Sequence, residues 1–75
     1  DQDHALVLAD EAPAAAPAYV AALAERVTAG LEACGFPRCP GEVMATNPRW
    51  RQPLAAWQQT FARWIEQPDE ENLLR

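Results

Sequence analysis

The sequence predicts a mixed α/β fold dominated by helices, and two observations on the 75-residue chain lead to this class. A short apolar run near the N-terminus has the character of a strand, whereas two longer segments repeat apolar residues at helical spacing. Proline and glycine separate these segments. We therefore expect one partial domain over residues 1–75, made of one N-terminal strand, two amphipathic helices and a short C-terminal helix.

The strand is predicted over residues 4–8. Leu6, Val7 and Leu8 form a continuous apolar run, which is typical of a strand that is covered on both faces. Because one strand cannot pair its own backbone groups, it needs a sheet that the rest of the chain does not obviously supply. This pattern indicates the central part of a larger domain.

The first helix is predicted from Pro17 to about Cys34. Proline is tolerated in the first helical turn, where its missing N–H is not needed, and Gly35 stands where a left-handed cap is expected. The periodic positions predict a buried apolar face. That face consists of Val20, Leu23, Val27, Leu31 and Cys34.

The second helix is predicted from Pro53 to Gln67, after an irregular loop over residues 36–46. Asn47 followed by Pro48 is a helix-start signal, so one short turn should precede this helix. Its predicted apolar face consists of Leu54, Trp57, Phe61, Trp64 and Ile65.

The acidic C-terminal segment predicts the short last helix. Pro68 ends the second helix, and the acidic residues 69–71 suit the positive N-terminal end of a helix that contains Leu73 and Leu74.

The charge of the chain excludes several kinds of partner. A net charge of −5 argues against binding nucleic acid through the overall field. All six cations are arginines, and Arg38, Arg49 and Arg51 form their only concentration. No apolar run approaches the roughly 18 residues that cross a bilayer, and no signal peptide is recognisable. We expect a cytoplasmic protein that binds neither nucleic acid nor membranes.

The cysteines favour reduced, packed thiols. Cys34 and Cys39 have a spacing that could suit zinc, but His4 is the only histidine, so one chain supplies too few ligands. A short disulfide is the other alternative. His4 itself should point away from Asp3 across the strand, which favours a structural role over that of a general base.

The carboxylates of Asp1 and Asp3 are the sharpest feature of the sequence. On an extended chain, residues two apart share a face, so the pair could hold a hard cation such as Mg²⁺ together with substrate phosphates. The same pair could equally be a solvated chain end. The residues alone leave both interpretations open.

The aromatic residues also allow two interpretations. Trp57, Phe61 and Trp64 at helical spacing are typical of a core, with a ligand-stacking platform or partner groove as the alternative. Trp50, between Arg49 and Arg51, could cap the core or stack on a base.

Three blocks of sequence, taken in order, are more specific than any of these features alone. They are D-Q-D at the N-terminus, C-P-G-x-V-M-A-x-N-P-x-W-R in the middle, and the spaced W…F…W-I that follows. From Asp1 to about Leu74, the chain resembles a bacterial nucleotidyltransferase-like family that is associated with CBS and cyclic-nucleotide-binding domains. This family is distantly similar to the protein-PII uridylyltransferases and belongs to the DNA-polymerase-β-like superfamily.

The resemblance implies a function and a set of site residues. Asp1 and Asp3 match the catalytic carboxylates that bind Mg²⁺ or Mn²⁺. The residues implied in binding the nucleotide or the acceptor are Asn47, Arg49, Trp50 and Arg51. The implied reaction is metal-dependent transfer of a nucleotidyl group from a nucleoside triphosphate to an acceptor, such as a regulatory protein.

The chain departs from the superfamily pattern in three ways. The Gly-Ser turn that precedes the carboxylate pair and the third carboxylate of a later strand are not in this segment, and His4 stands where relatives carry asparagine. We therefore expect this segment alone to be inactive. The alternative function is a non-catalytic sensor or protein-interaction module in a signalling protein, and the open strand edge or aromatic helix face could form a homo-oligomer.

Overall fold

A computed structural model of the chain describes residues 1–68 and confirms the mixed, helix-dominated α/β class. The elements are, in order, strand β1 (Leu6–Leu8), helix α1 (Ala16–Ala33), a 3₁₀ turn (Pro48–Trp50), strand β2 (Arg51–Pro53) and helix α2 (Leu54–Glu66). The predicted short C-terminal helix lies outside the described residues.

Strand β2 was not predicted, and it supplies a partner for β1 within the same chain. The two strands are parallel, with Leu6 opposite Arg51, Val7 opposite Gln52 and Leu8 opposite Pro53. Sequence patterns miss β2 because three residues between a turn and a helix show no periodicity.

The N-terminal strand is shorter than predicted. His4 donates its backbone N–H to the carbonyl of Val43 at 3.1 Å. The chain before β1 therefore bonds to the irregular loop over residues 36–46, which we call the central loop, and not to β2. Val7 is 63% exposed, which contradicts the expectation of a strand covered on both faces within the described residues.

Helix α1 ends as its sequence predicts. Gly35 has a φ of 101°, a left-handed conformation that glycine adopts without a side-chain clash. Its N–H donates to the carbonyl of Glu32 at 3.0 Å, and the N–H of Phe36 donates to that of Leu31 at 3.0 Å. This pair of bonds is the Schellman motif, and it caps the last turn.

The buried face of α1 differs from the predicted stripe. Ala24 and Thr28 are buried, whereas Leu23 and Val27 are 42% and 47% exposed. The reason is that the amide of Gln2 bonds to the Thr28 carbonyl, and the small side chains of this face allow that close approach. The predicted burial of Leu23 and Val27 is therefore wrong.

Helix α2 also turns a different face inward. Trp57 and Thr60 are buried, while Leu54, Phe61 and Ile65 are 47%, 54% and 77% exposed. Only the tryptophans of the predicted apolar face are withdrawn from solvent.

The first turn of α2 receives a cap from elsewhere in the chain. Asp10, which follows β1, accepts a hydrogen bond from the N–H of Ala55 at 2.9 Å. Pro53, at the cap position, has no side-chain group that could do so.

The molecule is thin. Its Cα atoms extend over 39 × 32 × 11 Å, and the radius of gyration of 13.5 Å exceeds the value of about 11 Å typical of a compact domain of this length. In the part of the chain described, neither helix combines the length and apolar character that a membrane span requires.

Candidate functional site

The D-Q-D segment alternates between solvent and interior. Asp1 and Asp3 are exposed, Gln2 is buried and His4 is half-buried. The two carboxylates thus lie on the solvent side, and His4 points to the opposite side, as predicted. No hydrogen bond or ion pair holds either carboxylate within residues 1–68.

Gln2 anchors this segment, and the sequence analysis did not single it out. Its backbone N–H donates to the carbonyl of Pro37 at 3.0 Å. Its side-chain amide donates to the carbonyls of Thr28 and Phe36, both at 3.0 Å. These bonds satisfy both amide protons. The period-two alternation that placed the aspartates outward could have identified Gln2 as an inward residue.

His4 completes the anchor and fixes the central loop. Its Nδ1 accepts a hydrogen bond from the backbone N–H of Ala45 at 2.9 Å. Because Nδ1 acts as an acceptor, the ring proton belongs on Nε2, which lies 3.0 Å from Oε1 of Gln2 and donates to it. The structural role predicted for His4 is confirmed.

The central loop contains a tight backbone turn and two buried residues. Glu42 has a φ of 57°, a left-handed conformation that is uncommon outside glycine, and its N–H donates to the carbonyl of Cys39 at 3.0 Å. Met44 and Ala45 are buried beneath it. The eleven-residue irregular loop predicted from sequence is thus an ordered structure.

Asn47 links the loop to the 3₁₀ turn. Its Oδ1 accepts a hydrogen bond from the N–H of Arg49 at 3.1 Å, and its Nδ2 donates to the carbonyl of Glu42 at 3.2 Å. The helix-start signal predicted for Asn47 is confirmed as a cap of a single 3₁₀ turn. Its role in binding a base or acceptor stays a prediction.

The two arginines that flank Trp50 differ in their freedom. Arg51 donates from Nη1 to the carbonyls of Ala45 and Thr46 at 3.0 and 2.7 Å, so its guanidinium holds the loop. Arg49 is exposed, and its guanidinium has no partner among the residues described. Of the two predicted phosphate ligands, Arg49 is the one free to meet a ligand.

Trp50 packs against helix α2. Its ring centroid lies 5.8 Å from that of Trp57 and 6.2 Å from that of Trp64, and it is half-buried. The sequence left open whether Trp50 caps the core or stacks on a base. The structure gives it the packing role and also exposes part of it to two hollows.

Those two hollows lie on either side of the Arg49–Trp50 pair. One, of about 450 Å³, is bounded by the central loop, including Glu42, Val43 and Asn47. We call this the loop hollow. Val43 accepts a hydrogen bond from the backbone N–H of His4, but neither Asp1 nor Asp3 is among the residues that line the loop hollow.

The second hollow has a volume of about 490 Å³ and lies between the 3₁₀ turn and α2. It is lined by Arg49, Trp50, Gln52, Trp57, Gln59, Thr60, Arg63 and Trp64, among others. We call this the tryptophan groove. Nothing in the sequence spacing relates Arg63 to Arg49.

The donors available to a metal are limited. Within residues 1–68, no group of three or more His, Cys, Asp or Glu side chains is placed to hold a metal ion. Asp1 and Asp3 supply two exposed carboxylates, a donor set that suits Mg²⁺ when water and substrate phosphates complete the coordination. The pair therefore fits a magnesium ion bound jointly with substrate.

The cysteines form no disulfide. Cys34 and Cys39 are free thiols, as expected. Cys34 is exposed and Cys39 half-buried, so the packed environment predicted for both is wrong for Cys34.

Comparison with known families supports the resemblance of the three sequence blocks. A family model described as "Putative nucleotidyltransferase DUF294" matches residues 1–71, which include the carboxylate pair, the central loop and α2. Neither the curated proteins nor the solved structures yielded a match. The extent of the family match decides the assignment: this chain belongs to the DUF294 family and is nucleotidyltransferase-like.

Proposed function

We propose that this segment supplies the carboxylate pair and part of the nucleotide pocket of a metal-dependent nucleotidyltransferase. The observation that carries the proposal is the exposure of two carboxylates on an anchored segment. Asp1 and Asp3 are exposed on either side of Gln2, whose hydrogen bonds to helix α1 and the loop after it hold the segment.

Asp1 and Asp3 would hold Mg²⁺, with Mn²⁺ as an alternative ion. The ion supplies neutralisation of the charge on a triphosphate and activation of an acceptor hydroxyl. The contribution of the chain itself is to anchor, through Gln2, the segment that carries the two carboxylates.

The loop hollow is the proposed place of the nucleoside triphosphate. Arg49 borders it with a free guanidinium, which can bind phosphate oxygens through two parallel hydrogen bonds. Trp50 offers part of its ring at the same border. Arg51 and Asn47 act on the nucleotide indirectly in this proposal, because they shape the loop.

The acceptor is proposed to be a regulatory protein, in a bacterial signalling system with CBS and cyclic-nucleotide-binding modules. The resemblance of the three sequence blocks supports this finer assignment. A non-catalytic sensor or interaction module is the second candidate, and the tryptophan groove favours it, since aromatic and arginine side chains dominate protein interfaces.

Binding of Mn²⁺ to the chain, followed by electron paramagnetic resonance, tests the metal assignment. We expect Asp1→Asn/Asp3→Asn to weaken Mn²⁺ binding in the presence of a nucleoside triphosphate by at least about tenfold, since each carboxylate is a ligand. Glu11→Gln is the matched control, because it removes one exposed negative charge near β1 and should leave binding unchanged. Equal Mn²⁺ affinity in all three proteins would refute the site.

A further inference from the structure

The tryptophan groove has a fixed floor. Thr60 is 6% exposed and donates its hydroxyl to the carbonyl of Ala56 at 3.0 Å. Gln52 donates its side-chain amide to the carbonyl of Arg49 at 2.6 Å, which ties β2 to the 3₁₀ turn. Both sides of the groove are therefore held by hydrogen bonds, and a ligand would meet a preformed surface.

The walls of the groove are aromatic. Trp50 packs at 5.8 Å from Trp57 and 6.2 Å from Trp64. Trp57 is buried at the base of this cluster, and the half-buried rings of Trp50 and Trp64 are the ones that a ligand could contact. Rigid indoles provide a large contact area at little entropic cost, which is why tryptophan is enriched at the energetic centres of protein interfaces.

The rims of the groove are positively charged and unneutralised. Arg49 and Arg63 both line it, both are exposed, and neither guanidinium has a hydrogen bond or ion pair in residues 1–68. By contrast, Arg38 bonds to Glu32 at 3.2 Å and lies 4.0 Å from Glu25. In a chain of net charge −5, two free arginines at one groove form a local site for negative charge.

We propose that the tryptophan groove docks an acidic protein segment in which carboxylates flank an apolar side chain. The carboxylates would pair with Arg49 and Arg63, and the apolar side chain would lie on the indoles. Charge complementarity selects this partner, because acidic residues match the two guanidiniums, and the partly exposed rings of Trp50 and Trp64 offer an apolar contact. This interaction shares Arg49 and Trp50 with the proposed nucleotide site but does not require nucleotidyl transfer, and a protein acceptor is one partner that could carry such a segment.

A labelled peptide tests the proposal with the 75-residue chain. The probe is a fluorescein-labelled twelve-residue peptide of alternating Glu and Leu, followed by anisotropy, beside peptides of the same length in which Gln or Lys replaces every Glu. We expect the Glu peptide to bind most tightly and its affinity to fall with added salt. We also expect Arg63→Gln to weaken it by about fivefold, the effect of losing one ion pair worth about 1 kcal/mol.

Arg26→Gln is the matched control. Arg26 is exposed on α1 and, like Arg63, has no partner among the residues described, so the two variants change the net charge equally. A similar loss of affinity in both variants, or equal affinity for the Gln peptide, would overturn the proposal. Arg49→Gln gives a second test, with a loss of affinity expected there too, and far-UV circular dichroism confirms the fold of each variant.

Two further outcomes would reassign the groove. In the first, inorganic triphosphate displaces the peptide, and the Arg63→Gln variant binds triphosphate more weakly than the wild-type chain does. The groove would then be a phosphate site. If sedimentation showed a dimer that the peptide dissociated, its occupant would be a second copy of the chain. Asp1→Asn/Asp3→Asn should lose Mn²⁺ yet retain the peptide, so failure of the proposed function and failure of this proposal are distinguishable.

Discussion

The backbone N–H of Ala45 donates to Nδ1 of His4 at 2.9 Å, a bond that joins residues 41 positions apart. This one contact sets the proton of the neutral imidazole on Nε2 and fixes the central loop against the segment of the two aspartates. It therefore relates the position of the loop hollow to that of the carboxylates.

Removing the acceptor of this bond should destabilise the fold. His4→Leu leaves the backbone N–H of Ala45 and the side-chain Oε1 of Gln2 without their partner. We expect a loss of about 1–3 kcal/mol in the free energy of unfolding, measured with urea. His4→Asn can restore an acceptor and should lose less. Equal losses in both variants would show that the ring contributes by packing alone. Since His4 is the only histidine, its ¹⁵N shifts report the Nε2–H tautomer directly.

Gln2 should tolerate no carboxylate. Gln2→Glu places an acceptor against the carbonyls of Thr28 and Phe36, where the native amide donates. We expect a loss of more than about 2 kcal/mol at neutral pH, because a buried charge would replace two hydrogen bonds. Asp3→Asn, one residue away and exposed, should change stability by less than about 0.5 kcal/mol. Chemical denaturation of both variants compares them, and a small effect of Gln2→Glu would refute the anchor.

Two tryptophans of α2 should respond differently to the same substitution. Trp57 donates its indole N–H to the carbonyl of Leu6 at 2.9 Å, whereas the buried indole nitrogen of Trp64 has no partner in the described chain. Trp57→Phe should therefore cost at least about 1 kcal/mol more than Trp64→Phe, although both remove the same atoms. Thermal unfolding of the two variants measures the difference. A larger cost for Trp64→Phe would contradict this assignment.

One glycine within α1 and one just after its end form another matched pair. Gly35→Ala should lower the free energy of unfolding by about 1 kcal/mol, because the φ of 101° at this position is strained for any residue with a Cβ. Gly30→Ala should raise the free energy of unfolding by about 0.5–1 kcal/mol, because Gly30 lies within the helix and a Cβ there meets no atom within 4 Å. Opposite changes in the urea midpoint are expected, and changes of the same sign would show that the cap of α1 is not formed in solution.

The parts of the fold that local chemistry determines were predictable. Helix α1, its glycine cap and the Asn47 signal follow from short-range rules that act within a few residues. The exposure of Asp1 and Asp3 followed from the alternation of an extended chain.

What the sequence did not predict depends on contacts between distant residues. Strand β2 exists because β1 pairs with it, and Leu23 is exposed because Gln2 packs on the neighbouring face of α1. The hydrogen bonds of Arg51 to loop carbonyls likewise require the folded chain. So does the placement of Arg49 and Arg63 along the same groove. Spacing within one segment carries no information on such pairs.

The thinness of the molecule has a consequence for its unfolding thermodynamics. An accessible surface of 5366 Å² compares with about 4,600 Å² typical of a folded monomer of 8.3 kDa. Less surface is thus left to be hydrated when the chain unfolds, so both the heat-capacity increment and the denaturant slope should be small for its length. Unfolding should extend over a wide range of temperature, and any partner that covers the exposed apolar surface should sharpen the transition as well as raise its midpoint.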